Sequence, residues 1–107
     1  MIFVSSPYTH HDPAVQQGRF ETVKAYTAKL LSQRLVAFSP IVYCHPLAIA
    51  HSLPGDAQFW KAFNWEMVNH SNAMHVLCLE GWNESSGVKM EMEWADSLSI
   101  PISYIPT

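Results

Sequence analysis

Four short apolar runs constrain this chain more than any other feature. Residues 2–4, 35–39, 73–79 and 101–106 are strand-like and nearly unbroken, and longer stretches with apolar residues at helical spacing separate them. A strand that is apolar at consecutive positions must be covered on both faces, as in a parallel sheet between helical layers. The order β-α-β-(loop)-α-β-α-β predicts one α/β domain over residues 1–107, a flavodoxin-like or Rossmann-like three-layer sandwich with a small parallel sheet of four or five strands. The first helix is expected over residues 14–33, where Phe20, Val23, Thr27, Leu30 and Leu31 form the inner stripe behind Asp12-Pro13, a suitable cap and first-turn pair. A second is expected over 57–71, with Trp60, Phe63, Asn64, Met67, Val68 and Ser71 inward, and a third over 87–98. Residues 41–56, punctuated by Pro46, Pro54 and Gly55, read as an irregular excursion across the sheet edge with room for one helical turn.

The formal net charge of -3, with no cluster of Lys or Arg, argues against duplex nucleic acid as a partner. No apolar run approaches the ~20 residues of a membrane span, and MIFVSS enters a strand without a basic leader, so a cytoplasmic protein is expected. Cys44 and Cys78 are isolated thiols in apolar surroundings and read as buried free cysteines. None of His10, His11, His45, His51, His70 and His75 shows metal-ligand spacing with a carboxylate in register, so neither a metal nor a cofactor is expected; His11 and His45 suit the rim of a substrate site. Trp60, Trp65 and Trp94 read as core, whereas Trp82 lies in a loop, where its indole either packs as the others do or stacks on a planar ligand group. So small a sheet leaves apolar helix faces for a second copy, and a homo-oligomer, a dimer or higher, is expected.

One charge breaks the pattern. In the last helix Val88, Glu91, Met92, Ala95 and Leu98 share a stripe, so Glu91 falls among residues that face the core while Glu93 faces solvent. Ligands of open parallel sheets bind outside the carboxyl ends of the strands, where the loop after strand one (Ser5, Ser6, Pro7, Tyr8) and residues 81–86 arrive. Ser85, Ser86 and Gly87 bring hydroxyls and backbone N–H groups at a helix N-terminus, a cradle for an anionic or polyhydroxylated ligand. A buried carboxylate there suits displacement at a sugar carbon through an oxocarbenium-like transition state. Bland readings compete: a solvated Glu91 on a tilted helix, Asn64 as a satisfied core amide, and Tyr8 packed over the sheet's end.

The strings GWNESSGVKMEMEWA, FVSSPYTHHDPAVQQGRF and VAFSPIVYCHPL resemble, over nearly the whole chain, a small bacterial and phage family placed in the nucleoside 2-deoxyribosyltransferase-like superfamily. That superfamily includes nucleoside deoxyribosyltransferases and 2'-deoxynucleoside 5'-monophosphate N-glycosidases, and the link to them rests on S-x-G-x-x-x-E, here Ser85, Gly87 and Glu91. The resemblance implies Glu91 as nucleophile toward C1', Ser85 at the 5' end of a nucleotide, and Ser5, Ser6 and Tyr8 beside the sugar or phosphate. It also implies a departure, because the Asp that assists proton transfer at the base matches Asn64 here. An amide can hydrogen-bond a ligand but cannot act as a general acid. The expected activity is hydrolysis or transfer at the N-glycosidic bond of a nucleoside, nucleotide or derivative, with Glu91, Asn64 and Tyr8 as the catalytic group. The alternatives are a non-catalytic nucleotide-derivative binding protein with the same pocket and, further off, a structural subunit of a larger assembly.

Overall fold

In the computed structural model, which describes residues 1–54 and 56–107, four parallel strands form one sheet in the order β2-β1-β3-β4. Along the chain these are β1 (Ile2–Ser5), α1 (Pro13–Ser32), β2 (Ala37–Phe38), α2 (Pro40–His51), α3 (Ala57–Asn69), β3 (Ala73–Cys78), α4 (Ser86–Ser97) and β4 (Ile102–Pro106), with one 3-10 turn at Trp82–Glu84. β1 is central, pairing Ile2 with Ala37 of β2 and with Ala73 of β3. β3 carries β4 on its outer side, Met74 opposite Ile102.

The alternation of side chains along β1 and β3 divides the core between the two faces. Phe3, Met74 and Val76 point toward α3 and α4, where they pack with Val68, Val88 and Ala95. Val4 and Leu77 point the other way, onto Val23 and Leu30 of α1 with Ile41 and Val42 of α2 beside them. Two helices on each face of a parallel sheet make the expected three-layer α/β sandwich.

Several expectations need correction: Leu31, expected on the inner stripe of α1, is exposed, and Cys78, expected to be buried, is only partly so. Residues 41–56 are not an irregular excursion, because most of them form α2, a 12-residue helix. Ser39 caps it, its hydroxyl oxygen accepting the Val42 N–H at 3.1 Å, and Pro40 fills the first turn, where no N–H is needed. Pro46 lies inside the helix, where it removes a backbone bond at a cost of about 3 kcal/mol. Burial of Cys44 and His45, with Ile41 and Ala48 on the same stripe, offsets that cost, and the proline itself is exposed. Ser52, at φ 56, then ends the helix in the left-handed region. The second strand is also shorter than expected: Leu35 and Val36 are exposed and only Ala37 and Phe38 pair with β1. Among the described residues no helix is long and apolar enough to cross a membrane.

Candidate functional site

The strand order reverses direction beside β1, since β2 lies on one side of it and β3 on the other. The crossovers leaving β1 and β3 lie on opposite faces of the sheet and leave a crevice outside the carboxyl ends of these two neighbouring strands. A cleft of about 200 Å³ lies among the elements that meet there. α2 lines it with Pro40, Ile41, Cys44, His45 and Ala48, and α3 with Trp60 and Asn64. The loop after β1 contributes Ser6, Tyr8 and Thr9, and the start of α4 contributes Ser85, Ser86, Gly87 and Glu91.

Glu91 is held at the bottom of this cleft. Two turns into α4 its side chain turns inward with Val88 and Ala95, and only 5% of the residue is exposed. The Ser5 hydroxyl donates to Oε1 at 2.6 Å and the Asn64 amide donates to Oε2 at 3.4 Å. Burial raises the Glu91 carboxyl to about 7, and the Ser5 bond, which favours the ionised form, opposes that rise. The carboxyl is thus poised between acid and carboxylate near neutral pH. Burial, with the Glu91 charge second, pushes the neighbouring Cys44 thiol up to about 12. Cys44 therefore stays protonated and does not compete as a nucleophile.

Two polar atoms in this region are buried without a partner among the described residues: Ser6 Oγ and Asn64 Oδ1. Unpaired buried polar groups are uncommon, and both belong to residues that line the cleft. At the mouth, Ser85 caps α4, its oxygen accepting the Val88 N–H at 3.3 Å. Its hydroxyl proton stays free for a ligand, and the positive end of the helix dipole points to the same place. Asp56 caps α3 by accepting the Phe59 N–H at 2.7 Å and reaches the same cleft.

Of the residues singled out in the sequence, Ser6, Tyr8, Asn64, Ser85, Ser86, Gly87 and Glu91 come together around the cleft. Ser5 and Pro7 do not line it. Ser5 is fully buried behind Glu91, where it orients the carboxylate rather than a ligand, and Pro7 is fully buried. Trp82 is not a stacking platform in this cleft; it packs against Tyr104 at 5.6 Å between ring centres and against the α3/α4 side of the core. His11 is exposed and outside the cleft, whereas His45 is buried in its wall. Sequence reasoning missed Cys44, Asp56 and Trp60 as wall residues. The spacing of Ile41, Cys44, His45 and Ala48 is a helical stripe that points to the first of them, although Pro46 interrupts it.

Arg19 of α1 ties the two rim loops together, donating to Thr9 O at 3.0 Å and to Glu80 O at 3.1 Å. Gly81 sits beside it at φ 85, and a Cβ there would lie 3.1 Å from Arg19 Nη2. Gly81→Ala is expected to cost about 1 kcal/mol from the left-handed backbone alone, read as a lowered midpoint in urea unfolding. No group of three or more His, Cys, Asp or Glu able to hold a metal ion occurs among the described residues. In comparison with known proteins, residues 1–105 match the family model described as a domain of unknown function (DUF1937). No curated protein matches the chain.

Proposed function

The chain belongs to the DUF1937 family, and from that premise we propose that it acts on the N-glycosidic bond of a nucleoside, nucleotide or nucleotide derivative, with Glu91 as the nucleophile. The observation that carries this reading is the buried Glu91 carboxyl at the floor of a cleft, bonded to Ser5 and Asn64 and close to the N-terminus of α4. In this scheme a Glu91 oxygen bonds to C1' as the C1'–N bond breaks, and the bonding pair leaves with the base nitrogen, which takes up a proton from water. Water, or a second base, then displaces the carboxylate. Ser85 and the N–H groups opening α4 hold the sugar or phosphate end, and Tyr8 and Asn64 orient sugar and base. The S-x-G-x-x-x-E resemblance to nucleoside deoxyribosyltransferases and N-glycosidases supports the same assignment.

A second reading, a binding protein with little turnover, is favoured by Asn64, whose amide donates to Glu91 but has no acidic proton for a leaving base. Asn64→Asp separates the two. A second carboxyl at this distance must share a proton with Glu91, so the pair gives up its first proton and holds the second to higher pH, leaving one carboxylate and one acid side by side near neutrality. Base release by the variant that exceeds wild type between pH 6 and 7 would show that the amide limits turnover; unchanged release would show that it does not.

The test of the reading is incubation of the protein with nucleosides, 5'-monophosphates and dinucleotides, with and without an acceptor base, followed by chromatography for free base. Release from at least one of them supports it, and no release from any, with a thermal shift from one, supports the binding protein. Exposed Tyr43, Leu47, Ile49 and Leu53 on and just beyond α2, with Phe59 on α3, support the further proposal that two copies associate in the cytoplasm. Sedimentation of the purified protein checks the association.

A further inference from the structure

A run of hydrogen bonds crosses from the surface of α1 to the wall of the cleft, and its direction can be worked out from one end. Glu21, paired with Lys24 at 2.9 Å, is an acceptor only. Gln17 must therefore meet it with its amide nitrogen, as it does at 3.0 Å. That orientation leaves the Gln17 oxygen facing His45 Nε2 at 3.1 Å, so Nε2 carries the hydrogen. A neutral imidazole with a hydrogen on Nε2 has a bare Nδ1, and Nδ1 is the atom 2.5 Å from the Tyr8 hydroxyl. The ring cannot readily turn over, since it stacks on Phe20 at 4.2 Å and meets Tyr8 edge-on at 5.3 Å.

We infer that His45, held by Gln17, is a positioning residue that makes the Tyr8 hydroxyl donate away from the ligand, so that Tyr8 offers the cleft an acceptor and selects a ligand group carrying O–H or N–H. The inference rests on the nucleoside reading for the identity of that ligand group, but not for the direction of the bonds. The surroundings agree with it: burial lowers the affinity of His45 for a proton, with Glu21 second and acting against it, and burial together with Cys44 raises the Tyr8 phenol, so both groups are neutral at pH 7. An acceptor on this wall complements the donors that Ser85 and the α4 N-terminus place across the cleft. The two sides would then orient a sugar by opposite hydrogen-bonding demands.

Two measurements decide it. Long-range ¹H–¹⁵N correlation spectra of the imidazole rings should show His45 protonated on Nε2 and bare on Nδ1 at pH 7, becoming a tautomeric mixture in Gln17→Met. A wild-type ring protonated on Nδ1, or a mixture already in wild type, overturns the inference whatever the ligand is. The second compares thymidine with 3'-deoxy-3'-fluorothymidine, and uridine with 2'-deoxy-2'-fluorouridine, by calorimetry in Glu91→Gln, where the ligand binds but cannot be cleaved or trapped. Fluorine keeps the size of the hydroxyl but donates nothing, so one replacement should weaken binding about tenfold while His45 is intact, the worth of one hydrogen bond. His45→Asn places an oxygen near the Nδ1 position and should keep that penalty. His45→Gln reaches only the Nε2 position and should lose it, leaving a difference under about twofold. Equal penalties in the two variants overturn the selecting role. Failure of all four nucleosides and of their 5'-monophosphates to bind would overturn the nucleoside reading and the selecting role with it, while the ring spectra would still decide the direction of the bonds.

Discussion

Glu91→Gln should lower base release by about a thousandfold or more while binding the same nucleoside within a few-fold, because an amide keeps the shape of the carboxylate but cannot bond to C1'. The same substitution should stabilise the fold in alkaline solution. In the folded chain the Glu91 carboxyl is raised from 4.5 to about 7, so between these values the native state holds a proton that the unfolded chain has lost. Stability therefore falls as pH rises through this window, and the loss is complete above about 7. The amide carries no charge to bury, so at pH 8 the variant should recover up to about 3 kcal/mol and melt several degrees higher, with no gain at pH 4. Thermal melts of both proteins at the two pH values check this. A gain in stability with a loss of turnover is the pattern expected where a buried charge is kept for chemistry.

The second large effect concerns Ser5. Its hydroxyl gives Glu91 the short 2.6 Å bond and favours the ionised form. Wild-type kcat/KM should rise with pH and level off above about 7, as the carboxyl becomes the carboxylate that attacks. In Ser5→Ala the carboxyl loses that donor and titrates higher, so turnover at pH 7 should fall about tenfold and be regained in large part near pH 9. A loss equal at every pH would mean that Ser5 serves packing alone. The shift of the profile, rather than the loss itself, identifies the hydrogen bond as the cause.

The layered fold was legible because its signals are local. Unbroken apolar strands have few other homes than a covered parallel sheet, and the stripes of α3 and α4, and that of α1 apart from the exposed Leu31, repeat at helical spacing. α2 was hidden by Pro46, a residue that breaks helices in isolation but is tolerated when a cap at Ser39 and burial of Cys44 and His45 hold the rest. Glu91 stood out because a carboxylate on an apolar stripe breaks the pattern, and Asn64 for the same reason. Their contact depends on how α3 and α4 pack side by side, which spacing within either helix does not encode. Ser5 and Trp82 illustrate the opposite limit. Both lie in segments that reach the strand ends, yet one side chain turns behind Glu91 and the other onto Tyr104. A loop's position was readable, and the direction of its side chains was not.

The most direct measurement is covalent trapping. A fluorine at C2' destabilises the oxocarbenium-like transition state and slows breakdown of a glycosyl-enzyme, so a panel of 2'-deoxy-2'-fluoro nucleosides and their 5'-monophosphates should leave a long-lived adduct. Intact-protein mass spectrometry should show a gain equal to the fluorinated sugar without its base, peptide mapping should place it on Glu91, and Glu91→Gln should show none. An adduct on another residue, or base release by Glu91→Gln at the wild-type rate, would contradict the account.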